Sequence, residues 1–233
     1  MTLALDLTDR HVVITGASGG LGGAVVAHLV AAGATVHAPL MEAAVPPAAT
    51  WLAHPQVDAR PGVDGSDDAA LTAYFASLPL PWASIHLVGG YAGAALVDTT
   101  LADFDRMMAM NARTCFLATR EAARRMRGHG GRIVNVAARP ALVPTAGLVA
   151  YAASKAAVVA ITQGAAAELS AEGIFVNAIV PSIIDTPANR AAMPDADFGR
   201  WPKPAELAAA IGYLASPTNA LTSGALVPVY GRA

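Results

Sequence analysis

The chain has few of the residues that would link it to an oxidising compartment or to nucleic acid. Among its 233 residues a single one is cysteine, and 15 Lys and Arg stand against 17 Asp and Glu. The lone Cys115 excludes a disulfide within the chain and is typical of a reducing cytosol. A formal net charge of -2 gives no reason to expect nucleic acid or an anionic membrane as a partner. We therefore expect a cytoplasmic protein whose partner is a small molecule.

Long uncharged hydrophobic runs are also missing. The mean hydropathy of +0.46 comes largely from alanine, and no apolar run is long enough to span a bilayer. No signal-peptide pattern precedes the first apolar run. The six histidines lack the spacing of metal ligands, which predicts that no metal is bound.

Apolar runs do alternate with helical patterns along the whole chain, in a composition of 55% hydrophobic and 14% charged residues. This alternation predicts an α/β fold, a doubly wound parallel sheet with helices on both faces. The length predicts one domain, residues 1–233. The predicted strands are residues 11–15, 34–38, 57–60, 84–88, 132–137, 174–180 and 225–229. The main predicted helices are residues 101–127, with a break near Asn111, 150–171 and 204–214.

Two segments that contain prolines lack clean periodicity. We interpret residues 39–61 as a long surface connection between strands, because the stretch is irregular. Residues 186–204 hold several prolines, and we interpret them as a mobile lid over the substrate.

A glycine-rich turn joins the first predicted strand to a predicted helix, and residues 15–22 read Thr-Gly-Ala-Ser-Gly-Gly-Leu-Gly. Strand, glycine turn and helix form the arrangement that a dinucleotide site needs. Glycines permit close backbone approach, and a helix N-terminus offers free N–H groups to a pyrophosphate. The alternative is a turn that binds nothing. The candidate cofactor-binding residues of this turn are Gly16, Ser18, Gly20, Leu21 and Gly22.

The most informative chemical feature is Tyr151, followed four residues later by Lys155 in an alanine-rich helical stretch. The chain has only two lysines among its 15 basic residues, so a Lys at this position is distinctive. Four residues is about one helical turn, which predicts that the ammonium stabilises the phenolate and lowers the pKa of Tyr151. We expect the pair to be catalytic, with the phenol moving a proton. The alternative is a buried Tyr beside an incidental surface Lys.

Together, the glycine turn and this pair resemble the short-chain dehydrogenase/reductase family over essentially the whole chain. The family's T-G-x-x-x-G-x-G is matched by Thr15, Gly16, Gly20 and Gly22. The resemblance implies one NAD(P)-binding Rossmann domain over residues 1–233, which transfers hydride with Tyr151 as proton donor. It also implies a homodimer or homotetramer, because family members commonly pair the helices equivalent to residues 111–127 and 150–171.

Other positions match further motifs of the family. Asn111 corresponds to its catalytic Asn, and Lys155 is implied to act with the Tyr and to hold the ribose hydroxyls. Asp64 corresponds to the acid that contacts adenine. The remaining cofactor-binding positions that the resemblance implies are Gly89, Gly90, Pro181, Ile184 and Thr186.

Two departures from the family pattern bear on the substrate. Ala138 stands where the family has its catalytic Ser, so a hydroxyl worth about 10²–10³ in rate is missing. The second departure is Gly-Gly-Tyr-Ala-Gly over residues 89–93, in place of the usual Asn-Asn-Ala-Gly. It resembles the Gly-Gly-Trp-Ala-Gly of dihydropteridine reductase-like members, which also lack the Ser. Arg139 and much of the lid sequence share that resemblance.

This subgroup resemblance implies a pterin-like or other activated cyclic substrate, which takes up hydride and a proton without carbonyl polarisation. The candidate substrate-binding residues are Tyr91, Ala138, Arg139, Asn189 and Trp201. Tyr91 would offer a flat face to a planar ring, or be only a half-buried loop aromatic. Trp201 would cap the pocket or pin the lid. The alternatives are a catalytically silent NAD(P)-binding partner or regulatory protein, and a general carbonyl reductase.

The choice of nicotinamide cofactor stays open at this point. NAD-dependent enzymes generally place an acid at the end of the second strand, and NADP-dependent ones place an Arg nearby. Leu40 occupies the expected position, and Glu42 reaches the ribose only if the loop bends. The predicted cofactor is therefore NAD(P)H, without a preference between NADH and NADPH.

Overall fold

The structure, a computed structural model, describes residues 5–232. One seven-stranded parallel sheet has the strand order β3-β2-β1-β4-β5-β6-β7. The strands are β1 (His11–Thr15), β2 (Thr35–Pro39), β3 (Val57–Arg60), β4 (Ala83–His86), β5 (Gly131–Val136), β6 (Ile174–Pro181) and β7 (Leu226–Val229). The prediction of a doubly wound α/β fold with about seven strands is confirmed.

Helices cover both faces of this sheet. They are α1 (Gly22–Ala31), α2 (Asp68–Ala76), α3 (Leu101–Met107), α4 (Thr114–Met126), α5 (Val149–Leu169), α6 (Pro187–Ala192) and α7 (Pro204–Ala215). A π-helical turn, Met108–Arg113, joins α3 to α4 and accounts for the predicted break near Asn111. None of the helices within residues 5–232 is long and apolar enough to cross a membrane.

The alternation of side chains along β1 shows why both faces are buried. Val12 and Ile14 pack in the core formed with α1 and α7, whereas Val13 points to the other face, into the core formed with α2 and α4. Successive residues of a strand point to opposite faces, so an unbroken apolar strand needs helices on both sides.

Strand order reverses between β1 and β4, and this reversal positions the candidate site. The loops after these two strands diverge there and leave a crevice at the carboxyl ends of the strands. The loops begin in tight contact, because a Cβ at Gly16 would lie 2.7 Å from the backbone N of Val88. Gly16 also has φ +73°, which a glycine adopts without strain.

One sequence-based prediction needs correction. The interpretation of residues 39–61 as a surface connection is wrong in part, because Leu40, Ala49 and Leu52 are buried in the core. These residues pack inward where a short turn, Thr50–Ala53, leads into β3. The other predicted strand and helix boundaries agree with the structure within two residues, as for β4, predicted at 84–88 and found at Ala83–His86.

Candidate active site

The glycine turn after β1 leaves no room for a side chain at Gly16 or Gly22. A Cβ at Gly22 would collide with the carbonyl of Ala17. Trp51 closes the turn from outside: its indole N–H donates to Ala17 O at 2.9 Å, and its ring lies 3.0 Å from the Cβ position of Gly23. Only the sequence of the turn, and not the role of Trp51, is visible as a motif, because Trp51 approaches from a distant segment.

The first turn of α1 suits an anion. It has no acidic residue, and no side chain caps its N–H groups. Those groups, together with the helix dipole, favour negative charge at this end of the helix. Gly20 and Thr186 lie side by side, since a Cβ at Gly20 would be 3.3 Å from the Thr186 methyl group. The loop after β6 therefore lies beside the glycine turn, and these residues fit a dinucleotide whose pyrophosphate lies on α1.

An acidic side chain does reach the glycine turn. The Ser18 hydroxyl donates to Glu42 Oε1 at 2.7 Å. The loop after β2 bends because Gly62 N donates to Glu42 O and Val63 N donates to Leu40 O. Leu40 itself is buried and points into the core.

Asp64 follows β3, at the same carboxyl edge of the sheet as the glycine turn, and it is exposed. Its Oδ1 accepts hydrogen bonds from the backbone N and the hydroxyl of Ser66, both at 2.8 Å. The carboxylate thus stabilises the turn that follows it. Its contact with adenine stays a prediction.

Tyr151 and Lys155 lie one turn apart on α5. Lys155 Nζ donates to Val136 O at 2.9 Å, and a Cβ at Gly89 would lie 3.0 Å from it. Burial lowers the pKa of Lys155 to about 8. Burial also raises the pKa of Tyr151 to about 12, and the nearby phenol of Tyr91 adds to the rise. The predicted lowering of the Tyr151 pKa by Lys155 is wrong for this structure, because desolvation dominates and the ammonium is bound to the end of β5.

Asn111 joins the loop after β4 to α5 from inside the π-helical turn. Its Oδ1 accepts from Gly90 N at 2.9 Å, and its Nδ2 donates to Gly90 O and to Ser154 Oγ, both at 3.0 Å. A Cβ at Gly90 would collide with Met110, and one at Gly89 would lie 2.7 Å from Asn111 Oδ1. These contacts explain why the loop carries two glycines. Asn111 positions the loop, with its amide fully engaged by the protein.

Three of the predicted substrate-binding residues lie near the end of β5, and each has a different environment. Ala138 is 4% exposed and presents only a small apolar surface. Tyr91 is 68% exposed and meets Tyr151 edge to face, with ring centroids 5.2 Å apart and an interplanar angle of 71°. The Arg139 guanidinium lies 5.1 Å from the ring centroid of Tyr230 and thus contacts the C-terminal segment.

The predicted lid, residues 186–204, is a small packed unit that contains α6. Asp185 and Arg190 form a two-pronged ion pair at 2.5 and 2.8 Å. The Asn189 side chain donates to Ile184 O at 2.8 Å. Trp201 is 7% exposed and packs on Phe198, with ring centroids 5.0 Å apart. Of the two roles considered for Trp201, the structure therefore favours pinning the lid, and the amide of Asn189 is engaged within the lid.

The C-terminal segment holds the far end of the lid. The Arg200 guanidinium donates twice to Arg232 O, at 2.9 and 3.0 Å, and Arg232 N donates to Arg200 O at 2.8 Å. Pro181 ends β6, and next to it the Ser182 hydroxyl donates to Tyr230 O at 2.8 Å. The sequence alone gave no signal for this contact, which links two loops across the carboxyl edge.

The predicted residues that come together at the carboxyl edge of the sheet are those of the glycine turn, Gly89, Gly90, Tyr91, Asn111, Tyr151, Lys155 and Thr186. Within residues 5–232, no group of three or more His, Cys, Asp or Glu side chains is arranged to hold a metal ion. The cluster therefore offers a phenol, a buried ammonium and an open helix N-terminus in one cleft.

Comparison with known proteins places this arrangement in a family. Residues 10–197 match the sequence model of a family described as short chain dehydrogenase. The chain is 33% identical to the cyclic-di-GMP-binding biofilm dispersal mediator protein of Escherichia coli, over 96% of this chain and 97% of that one. It is 31% identical to the (3R)-3-hydroxyacyl-CoA dehydrogenase of Canis lupus familiaris, over 99% and 98% of the two chains.

A longer relative and a solved structure agree with this match. An uncharacterized short-chain type dehydrogenase/reductase of Sinorhizobium fredii is 33% identical, and this chain covers 43% of its length. A solved structure described as a short chain dehydrogenase/reductase family protein has a TM-score of 0.89 and 28% identity, covering 97% of this chain and 98% of that one.

Proposed function

Since the chain belongs to the short-chain dehydrogenase family, we propose that it is an NAD(P)H-dependent reductase of an activated, pterin-like or quinonoid cyclic substrate. The observation that carries the proposal is Tyr151 and Lys155 in one cleft beside Ala138. The proton donor and the lysine are retained, whereas the hydroxyl that polarises an ordinary ketone is absent. An electron-poor conjugated ring accepts hydride without that polarisation.

The protonation state of Tyr151 is compatible with a proton donor. Burial raises its pKa to about 12, so the phenol is protonated at neutral pH. Lys155, with its pKa lowered to about 8, is still mostly an ammonium at pH 7 and would hold the ribose hydroxyls. The bound dihydronicotinamide would supply the hydride. The glycine turn and α1 would bind its pyrophosphate.

The surface around the cleft favours a substrate of low charge. Large apolar side chains on the loops after β4, β5 and β6 are exposed; they are Tyr91, Leu96, Val97, Leu142, Val143 and Ile183. Nearby cations are already engaged, Arg190 by Asp185 and Arg139 by the Tyr230 ring. A flat, uncharged ring would bury this apolar surface at little electrostatic cost.

A second candidate is a reductase or dehydrogenase of simple carbonyls and secondary alcohols. It is favoured by the 31% identity to the (3R)-3-hydroxyacyl-CoA dehydrogenase of Canis lupus familiaris. Against it stands Ala138, because this chemistry needs the polarised carbonyl that a hydroxyl provides.

Cofactor preference and assembly complete the proposal. Glu42 beside Ser18 favours NADH, because a carboxylate accepts hydrogen bonds from ribose hydroxyls and repels a 2′-phosphate.

A homodimer or homotetramer would bury the groove of about 350 Å³ between α4 and α5, which Phe116 and Ile161 line. The single Cys115 is a buried free thiol, and we propose the reducing cytoplasm as the location of the protein.

Oxidation of NADH and NADPH by the purified protein tests this function. The substrate panel contains quinonoid dihydropterin, uncharged quinones, simple ketones and 3-oxoacyl-CoA. We expect turnover with the quinonoid compounds, and Tyr151→Phe should reduce it at least 10²-fold while cofactor affinity stays within twofold. Turnover of ketones alone would favour the second candidate. Cofactor binding without turnover of any substrate would establish a silent nucleotide-binding protein.

A further inference from the structure

The backbone of the glycine turn leaves three N–H groups without an acceptor. Within residues 5–232, the backbone N–H groups of Ser18, Gly20 and Leu21 make no hydrogen bond. Ser18 is half-buried and Gly20 is exposed, so the turn meets the open cleft at these positions. Free N–H groups ahead of a helix suit the oxygens of an anion. Their use depends on how each peptide plane of the turn is oriented.

Ala17 lies directly before Ser18, and its carbonyl shares one peptide group with the Ser18 N–H. Ala17 is fully buried, and in the part of the chain that the structure describes its carbonyl accepts a single hydrogen bond, from the indole N–H of Trp51 at 2.9 Å. The peptide is trans, so its C=O and N–H point in opposite directions within one plane. The bond to Trp51 therefore fixes the direction of the Ser18 N–H, which points away from the indole.

Trp51 is itself placed by packing. Its ring lies 3.0 Å from the Cβ position of Gly23, in the first turn of α1, so α1 and the indole are in close contact. The next residue, Leu52, is buried in the core, and the short turn Thr50–Ala53 carries both residues. The indole N–H is thus held in place by α1 and the core, independently of the peptide group to which it donates.

We propose that Trp51 is a positioning residue for the cofactor: it holds the Ala17 carbonyl inward and so keeps the Ser18 N–H available to an oxygen of the pyrophosphate. This inference rests on the cofactor binding of the proposed function. Without the indole N–H, the peptide group between Ala17 and Ser18 is free to turn over, and a carbonyl oxygen would then face the anion in place of a donor. Only the molecules whose carbonyl points inward would bind the pyrophosphate well, which weakens the observed affinity.

Binding of ADP tests the role of Trp51 without any turnover, because ADP carries the pyrophosphate and lacks the nicotinamide. Trp51→Phe removes the indole N–H and keeps an aromatic ring. Calorimetric titration should show that ADP binds this variant about tenfold more weakly than the original chain, which is the size of one lost hydrogen bond. Adenosine, which lacks phosphate, should bind the two proteins with affinities within twofold of each other.

Trp82→Phe is the matched control. The Trp82 indole N–H also donates to a backbone carbonyl at 2.9 Å, that of Ala215, but Trp82 precedes β4 at the opposite, amino edge of the sheet. Each variant loses one such bond, so both should have a lower urea midpoint of unfolding. Only Trp51→Phe should weaken the binding of ADP. If Trp51 served stability alone, the two variants would bind ADP equally well.

The outcomes separate this inference from the proposed function. An ADP affinity of Trp51→Phe within twofold of the original chain overturns the positioning role and leaves the proposed function intact. An equal loss of adenosine binding, or an equal loss of ADP binding in Trp82→Phe, overturns it as well. A selective loss of ADP affinity in a chain that reduces no substrate supports the role of Trp51 and overturns only the reductase. If the original chain binds neither ADP nor NADH, both fail.

Discussion

The Ser18 hydroxyl and the Glu42 carboxylate lie 2.7 Å apart, so an acid contacts the glycine turn although β2 does not end in one. We expect at least a tenfold preference for NADH, because the carboxylate would repel a 2′-phosphate. Glu42→Gln should reduce that preference at least tenfold, chiefly by strengthening NADPH binding. Titration of both cofactors by fluorescence measures this. Asp105→Asn, at an exposed acid on α3, is the charge-matched control. Equal affinities in the original chain would contradict the prediction.

The buried charge of Lys155 should make the folded protein less stable. Burial lowers its pKa from 10.5 to about 8. At about 1.36 kcal/mol per pKa unit, keeping the side chain charged in the folded protein at pH 7 lowers the free energy of unfolding by about 3 kcal/mol. Lys155→Met removes this cost but leaves Val136 O without its donor, at about 1 kcal/mol. The variant should therefore be about 2 kcal/mol more stable at pH 7, and inactive.

The pH dependence distinguishes this explanation from better packing of Met. Between pH 8 and 10.5 the unfolded chain binds a proton that the folded chain has released, so the stability of the original chain rises with pH. The advantage of Lys155→Met in urea denaturation should shrink over that window. Lys203→Met, at the other lysine, should change stability by less than about 0.5 kcal/mol. An advantage that does not change with pH would contradict the prediction.

His86 should make the protein sensitive to acid. It is fully buried, with its ring bonded to Ser84 Oγ and Asn135 Oδ1, both at 2.8 Å. Burial lowers its pKa from 6.5 to about 4, so only the unfolded chain takes up the proton in that interval. Stability should fall by up to about 3 kcal/mol from pH 6.5 to 4. His86→Gln should flatten the profile of urea midpoints against pH, whereas His129→Gln, at an exposed site, should not. An unchanged slope in His86→Gln would show that other groups cause the acid sensitivity.

The faces of α4 and α5 should hold subunits together. Phe116 is 48% exposed on α4, and it lines the groove between the two helices. Sedimentation should give two or four times the chain mass of 23.6 kDa, and Phe116→Glu should reduce the mass, because it replaces an apolar ring with a charge that association would have to remove from water. Leu80→Glu tests a similarly exposed apolar residue elsewhere, 42% exposed, and should leave the mass unchanged. A mass of 23.6 kDa for the original chain would contradict the prediction.

Local signals predicted most of the fold. The bounds of β1 and β3 agree with the predictions, because each strand is a short run limited by turn residues. The helix α2 lies outside the main predicted helices, although Asp67, which caps it by accepting from Ala70 N, is a recognisable start signal. The short helix α6 follows the same rule, with Thr186 as its cap and Pro187 next to it.

The candidate site was predictable where it depends on short motifs and not where it depends on burial or on distant loops. The glycine turn and the spacing of Tyr151 and Lys155 are visible in the sequence. The contacts of Trp51 and Glu42 with the turn require the path of a loop, which no local pattern specifies. The pKa of Tyr151 could not be predicted either, since it depends on how much water the folded cleft removes.

The π-helical turn Met108–Arg113 joins α3 to α4 with hydrogen bonds between residues five apart, where an α-helix joins residues four apart, so it holds about one residue more than a regular helix would. Deleting one residue here would let the segment close into a regular α-helix, and the buried side of α4, including Cys115 and Ala122, would still face the sheet. The contact of Asn111 with Gly90 depends on where the wider turn places the amide, so the deletion should release the loop after β4 while the fold survives. The extra residue of this turn therefore serves the site and not the sheet.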